Sequence, residues 1–387
     1  MSLPLEMADA DTNPSLTAAV DAAIASALDD KRLVGTVVLI ARDGEIVHRR
    51  AAGLADREGG LAMREDTIFR LASITKPIVT IAAMRLVEQG RIGLDDPVAR
   101  WLPDFRPRLP DGEATIRIRH LLTHTSGLSY SFFEEDDAYA RAGVSDGLAE
   151  PGLTLAENLR RIASTPLRFA PGSDWQYSVA MDVLGGVIEA EMGAPLGEAV
   201  ADLVTKPLGL ADTAFSVRDR SRLAAAYMDA SPEPTLMGEN AVVMSLMGPI
   251  RFAPNRIFDP ASYHSGGAGM AGTGGDILAI LDTIRRGGPP LLSTETVGMM
   301  MTDQAGGHRQ QHEPGSGFGF GWSVITNPAE AGVPFPKGTL KWGGVYGHSW
   351  FIDPVNGLTV VALTNTTLEG MWGKFTVDLR EAIYAAL

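Results

Sequence analysis

The 387-residue sequence contains no cysteine. Disulfides, thiolate catalysis and cysteine-ligated metal are therefore excluded, and a chain without thiols is indifferent to redox poise. Lysine is also scarce, six residues against 27 arginines. No stretch approaches about 18 uninterrupted apolar residues, so no transmembrane span is expected. Positive charge is outnumbered: 33 Lys and Arg stand against 47 Asp and Glu, a formal net charge of −14. That balance argues against nucleic acid or an anionic membrane surface as a partner. The first residues, MSLPLEMADADTNPS, lack both the basic start and the apolar run of a secretory signal, and a cytoplasmic location is expected.

What is present suits a globular protein. Hydrophobic residues make up 45% and charged residues 21%, enough for a sizeable core in one elaborated domain or two interlocked lobes. Residues 14–30 space their apolar positions as an amphipathic helix. GTVVLIARDGEIVHRRAAG follows, two β-branched runs joined at Asp43-Gly44, a strong hairpin signal. Near the other end, Ser349–Ile352 and Leu358–Leu363 flank DPVNG as a second hairpin, with a final helix at about 373–386. These elements predict an α/β (α+β) fold whose antiparallel sheet is built from both termini and flanked by helices, with a mostly helical inserted region. Segments 129–152, 229–264 and 303–317 read as long surface loops of the kind that wall sites.

Several chemical motifs fail on context. Gly143-Val-Ser145-Asp-Gly147 matches G-x-S-x-G, but no buried strand precedes it to hold Ser145 on a strained turn. Gly267-Ala-Gly269-Met-Ala-Gly272 matches G-x-G-x-x-G with no strand before it; a turn into the helix DILAILDTI explains it better. His120 and His124 share the spacing of a zinc pair without the glutamate of H-E-x-x-H, and His308 and His312 lack an obvious third ligand. No metal site is expected. His348 is the best histidine for a Ser-His-Asp triad, which is the runner-up scheme.

FRLASITKPIVTIAAMRLVEQG, residues 69–90, is different. From Ile74 to Val87 it reads as a helix apolar nearly all round, hence buried. Ser73 and Lys76 occupy its start. At i,i+3 they share a helix face, where free N–H groups and the helix dipole favour a developing anion. Pro77 is tolerable in a first turn. A lysine buried there loses its proton more easily and could activate the adjacent hydroxyl; otherwise Lys76 snorkels to the surface.

The remaining motifs, in order, are HTSGL at 124–128, WQYS around Tyr177, and WGGVYGHSWF from Trp342. With FRLASITKP they resemble the serine hydrolases of the class C β-lactamase and DD-peptidase superfamily, and within it the family VIII carboxylesterases, over nearly the whole chain. The resemblance implies a single β-lactamase-like unit, with about 1–90 and 180–387 forming an α/β lobe and about 91–179 a mainly helical lobe. It implies Ser73 as acylated nucleophile, Lys76 as its partner and Tyr177 as general base. The backbone N–H groups of Ser73 and Val345 would form the oxyanion hole. Trp342, Gly343, Gly344 and Tyr130 would bind substrate, with no metal or organic cofactor. A free tyrosine, with a pKa near 10, is a poor base at neutrality, but a cationic lysine beside one favours the phenolate. Which member of such a pair holds the proton belongs to the pair.

Two positions depart from the superfamily pattern. Trp342-Gly343-Gly344 replaces K-T-G, removing the cation that would meet a substrate carboxylate, and Val179 replaces the asparagine of Y-x-N. Both changes favour neutral esters over anionic amides. The expected activity is a serine carboxylesterase acting on small-molecule esters. A β-lactamase or DD-peptidase, or an acyltransferase, on the same fold is the alternative. The sequence leaves the oligomeric state open.

Overall fold

A computed structural model describes residues 13–110, 112–133, 138–308 and 313–387. His312 lies outside the described residues. Helix α1 (Pro14–Asp29) begins where the Asn13 side chain accepts the N–H groups of Ser15 and Leu16 and Pro14 presets the first turn. Strands β1 (Gly35–Arg42) and β2 (Glu45–Asp56) form the first hairpin. Its turn residues Asp43 and Gly44 both have positive φ, 54° and 94°, the backbone a tight two-residue turn requires. Strand β3 (Leu61–Ala62) extends it. Buried helix α2 (Thr75–Glu88) follows, then α3 (Ala180–Met192) and α4 (Gly274–Arg285). The C-terminal part supplies β4 (Ser316–Phe318), β5 (Ser323–Ile325), β6 (Leu340–Gly344), β7 (His348–Asp353), β8 (Leu358–Thr364) and helix α5 (Lys374–Ala385).

The eight strands form one sheet in the order β4-β5-β6-β7-β8-β1-β2-β3, each neighbour antiparallel. The two ends of the chain meet at its middle, where β1 pairs with β8 from Thr36↔Thr364 to Arg42↔Leu358. Strand alternation then feeds two cores. Val38, Ile40, Val360 and Ala362 pack under α1 and α5 with Val20, Phe375 and Ile383. Val37, Leu39, Val361 and Leu363 face the opposite way and join the large cluster that contains α2, α3 and α4.

Between residues 91 and 179 the α-helices are short: Ile118–Leu122, Ala138–Arg141 and Leu155–Ala163. Ile118, Leu121, Tyr139 and Ile162 pack in the same cluster as α2. The loop readings need correction. Much of 129–152 is interior: 129–130 and 144–148 are buried. Segment 229–264 contains a β-hairpin, Ala241–Ser245 with Gly248–Phe252, and β4 begins inside 303–317. The 129–152 stretch looks exposed in sequence because it is rich in acids and glycine, but Ser145 within it is paired internally. Ser145 N–H donates to Asn158 Oδ1 at 2.9 Å, and Asn158 Nδ2 returns to Ser145 O at 3.2 Å.

Candidate active site

Ser73 sits on a 3-10 turn, Ala72–Ile74, that runs straight into α2. The residue before it, Ala72, has φ 45°, a left-handed conformation costing a non-glycine residue about 1–3 kcal/mol. The surroundings hold it there. Leu71 N–H donates to Met270 O at 2.8 Å, and Ile68–Arg70 pairs antiparallel with Ala271–Thr273. Met270 N–H closes the clamp on Thr75 Oγ1 at 3.1 Å.

One turn on, Lys76 is 1% exposed; it does not snorkel. Its Nζ lies 3.0 Å from Ser73 Oγ and donates to the Gly267 carbonyl at 2.8 Å. The Tyr177 ring centroid is 4.7 Å away and that of Tyr130 5.7 Å, which adds cation–π attraction. Tyr177 Oη meets Ser73 Oγ at 2.7 Å. The three residues thus form an unbroken chain, amine to hydroxyl to phenol. A hydroxyl so placed can pass its proton to either neighbour.

HTSGL explains how Tyr177 arrives. Residues 168–179 are tied to it by Arg168 N–H to Gly127 O, Gly172 N–H to Thr125 O and Gln176 N–H to His124 O. Gly127, at φ 82°, passes so close that a Cβ would lie 2.3 Å from Phe169 O. His124 is therefore a structural residue. Its Nδ1 meets Ser178 Oγ at 3.2 Å and its ring packs edge-on to Tyr177. Burial and the Lys76 charge hold it well below the usual histidine range. His120 Nδ1 accepts the Arg117 N–H, and burial brings its pKa down to about 4. His308 Nε2 meets Gly172 O at 3.2 Å.

The W-G-G strand delivers the opposite wall. A Cβ on Gly344 would lie 2.4 Å from Leu71 O, and one on Gly343 2.8 Å from His348 O. The strand therefore presses against the turn that carries Ser73 as only glycine allows. Val345 and Trp342 consequently reach the same cavity as Ser73, which holds about 950 Å³. Trp342 packs edge-on to Tyr177 and Phe318. Tyr130 is buried, stacked on Phe132, and also lines the cavity. At the rim stand Met247 and Leu246, the latter 90% exposed at the tip of the 241–252 hairpin. The arginines of that stretch face elsewhere: Arg251 is exposed, and Arg256 is buried against Tyr263 O at 2.8 Å. Arg168, Lys341 and Arg380 line the cavity wall, Lys341 already paired with Glu313 at 2.7 Å.

His348 is turned away from Ser73. Its Nε2 meets Arg70 O at 2.7 Å, and burial brings its pKa down to about 4. Ser145, 4% exposed, spends its Oγ on the Gly147 N–H, and the short helix Ala138–Arg141, not a strand, precedes it. One contact was missed from sequence: the Gly267 carbonyl that accepts from Lys76 is a backbone group in a glycine-rich stretch that read as a turn.

A chain that joins an S-x-x-K helix to an antiparallel sheet from both termini has the β-lactamase/DD-peptidase-like fold, and a family model described as Beta-lactamase matches residues 20–375. The chain belongs to the beta-lactamase family. It is 52% identical to Esterase EstB of Burkholderia gladioli over 376 residues, 96% of each chain. Among solved structures, EstCE1, described as a hydrolase with promiscuous acyltransferase activity, superposes with TM-score 0.94 at 44% identity, covering 96% of this chain and 99% of that one. Unliganded simvastatin synthase (LovD) from Aspergillus terreus, at 23% identity, TM-score 0.74 and 96% and 98% coverage, shares the fold.

The contact of Gly344 with Leu71 gives a direct test. Gly344→Ala must push β6 off the Ser73 turn, and overpacking of this kind costs about 1–3 kcal/mol. Calorimetry should show a lowered Tm; a wild-type Tm would mean the strand has room that this geometry denies.

Proposed function

We propose that the protein is a serine carboxylesterase of the family VIII type, hydrolysing short- to medium-chain acyl esters through an acyl-enzyme on Ser73. The observation that carries the reading is the Lys76–Ser73–Tyr177 hydrogen-bond chain at the cavity; the identity with an esterase supports it. Tyr177, working with Lys76, takes the Ser73 proton as Oγ attacks the ester carbonyl. The tetrahedral oxyanion is held by the N–H groups of Ser73 and Val345. It collapses with loss of the alcohol, which takes the proton. Water then attacks the acyl-enzyme by the same route and releases the acid. Neither metal nor organic cofactor enters the scheme.

The cavity is walled by Ser73 from the first lobe, Tyr130 and Tyr177 from 91–179, and Trp342 from the C-terminal part, which supports one catalytic unit made of both lobes. Trp342 in the cation's place, with Val179 buried in place of an amide, supports a neutral ester as the small-molecule substrate. Acyl transfer to an alcohol other than water is a second outcome of the same acyl-enzyme, favoured by the likeness to EstCE1. A cytoplasmic location belongs to this proposal, and fractionation tests it.

Ser73→Ala should abolish ester hydrolysis while Ser145→Ala keeps most of it. An organophosphonate adduct should map to the Ser73 peptide; an adduct on Ser145 would revive the α/β-hydrolase scheme. Tyr177→Phe should lower kcat by about two orders of magnitude or more, the usual cost of a lost general base, and His348→Ala should cost less. A dead histidine variant beside an active phenylalanine variant would overturn the proton-transfer scheme.

Substrate preference follows from the absence of a cation at the Trp342 position. A lost charge-assisted hydrogen bond is worth about 1.5–3 kcal/mol, or roughly ten- to a hundredfold in kcat/KM. p-Nitrophenyl butyrate should therefore be turned over with higher kcat/KM than nitrocefin under one condition. Equal or better nitrocefin hydrolysis would make β-lactamase the better description.

A further inference from the structure

We infer that Asp182 is a positioning residue for Lys76, supplying the buried ammonium's counter-charge and fixing its place through the peptide of Gly267. The inference rests on the reading of Ser73 as nucleophile. Asp182 occupies the first turn of α3 and has no exposed surface. Its Oδ1 accepts the Gly267 N–H at 3.4 Å, while the carbonyl of the same residue accepts from Lys76 Nζ at 2.8 Å. Its Oδ2 is buried with no hydrogen-bond partner. A carboxylate in that state is costly unless a nearby positive charge compensates it.

Gly267 is where these groups converge. A Cβ built there would stand 3.3 Å from Asp182 Oδ2, 3.4 Å from Tyr130 Oη and 3.6 Å from Lys76 Nζ. The carboxylate and the ammonium thus both border the Gly267 α-carbon, and the Lys76 charge favours the ionised carboxylate. The other titratable groups around Asp182 are accounted for. Tyr130, from the 129–149 segment, and Tyr263, from the stretch before Gly267, are both held as neutral phenols well above the usual tyrosine range, chiefly by burial. Asp146 faces the same two rings and is itself pushed up by burial. Arg256, whose Nη2 donates to Tyr263 O, adds a positive field that acts on Asp182 less than Lys76 does. On the far side of Lys76, His124 stays neutral.

The consequence is a proton-linked site. Burial raises the Asp182 pKa to about 6, opposed by the Ser265 hydroxyl and then by Lys76. Above that pH the carboxylate is ionised and Lys76 has its counter-charge. Below it the carboxyl is neutral, and the ammonium is left uncompensated. Ser73 reactivity should therefore be lost as pH falls.

The test is the pH dependence of Ser73 labelling by an organophosphonate, read by peptide mass spectrometry, in wild type, Asp182→Asn and Ser265→Ala. Wild-type labelling should fall on the acid side with a midpoint near pH 6. Asparagine keeps the shape and removes the charge, so labelling at about pH 8 should slow at least about tenfold, the equivalent of one pKa unit of lost interaction, and the acid limb should vanish. Ser265→Ala removes a group that holds the carboxyl down, so its limb should move to higher pH; it decides alone if the asparagine variant does not fold. Wild-type labelling and limb in Asp182→Asn, or an unmoved limb in Ser265→Ala, overturns the inference. An adduct away from Ser73 in the wild type overturns the nucleophile reading instead, and the inference with it.

Discussion

An ammonium group with almost no solvent contact is the constraint around which the site is built. Removing a lysine from water costs several kcal/mol unless dipoles and charge replace its hydration. Lys76 finds those replacements on four separate pieces of chain: the Ser73 hydroxyl on its own turn, the Gly267 carbonyl, and the faces of Tyr177 and Tyr130. None is local in sequence except Ser73. The lysine therefore reports whether the whole architecture is in place, because each partner reaches it only when its segment is correctly docked.

The same logic explains why the walls are aromatic and glycine-rich. Tyr177 is held by its neighbours' rings, with His124 and Trp342 packed edge-on at centroid separations of 4.9 and 5.4 Å. Such contacts orient a ring without adding charge. Glycines at 343 and 344 let backbone approach where a side chain would separate the parts. The surroundings also carry stored backbone strain at Ala72, which persists because the pairing of Ile68–Arg70 with Ala271–Thr273 leaves the turn no other path.

Much of this was legible in the sequence, for identifiable reasons. The Asp43-Gly44 turn and the run flanking DPVNG announced their hairpins because tight turns demand particular residues, and the sheet built from both termini followed. Ser73 and Lys76 were legible because a polar pair on an apolar helix is chemically incongruous. Tyr177 and the W-G-G strand emerged through resemblance to a family. Three things were not visible. The burial of 144–148 depends on Asn158 reaching back to Ser145, a pairing that composition does not reveal. The helices Ile118–Leu122 and Ala138–Arg141 are too short for a helical period to show in sequence. The Gly267 carbonyl is backbone, and a sequence displays only side chains.

The pairing of β1 with β8 also orders events in time. Thr36 and Thr364 are partners at the centre of the sheet, yet nearly the full chain separates them. Contacts this distant in sequence make folding slow, since a long loop must close before any hydrogen bond rewards it. During synthesis, the β8 partner of β1 is made only near the end of the chain. Ser73 is synthesised early, whereas Trp342 and Val345, which share its cavity, come late. A nascent fragment would thus hold Ser73 without the late-made residues that share its cavity.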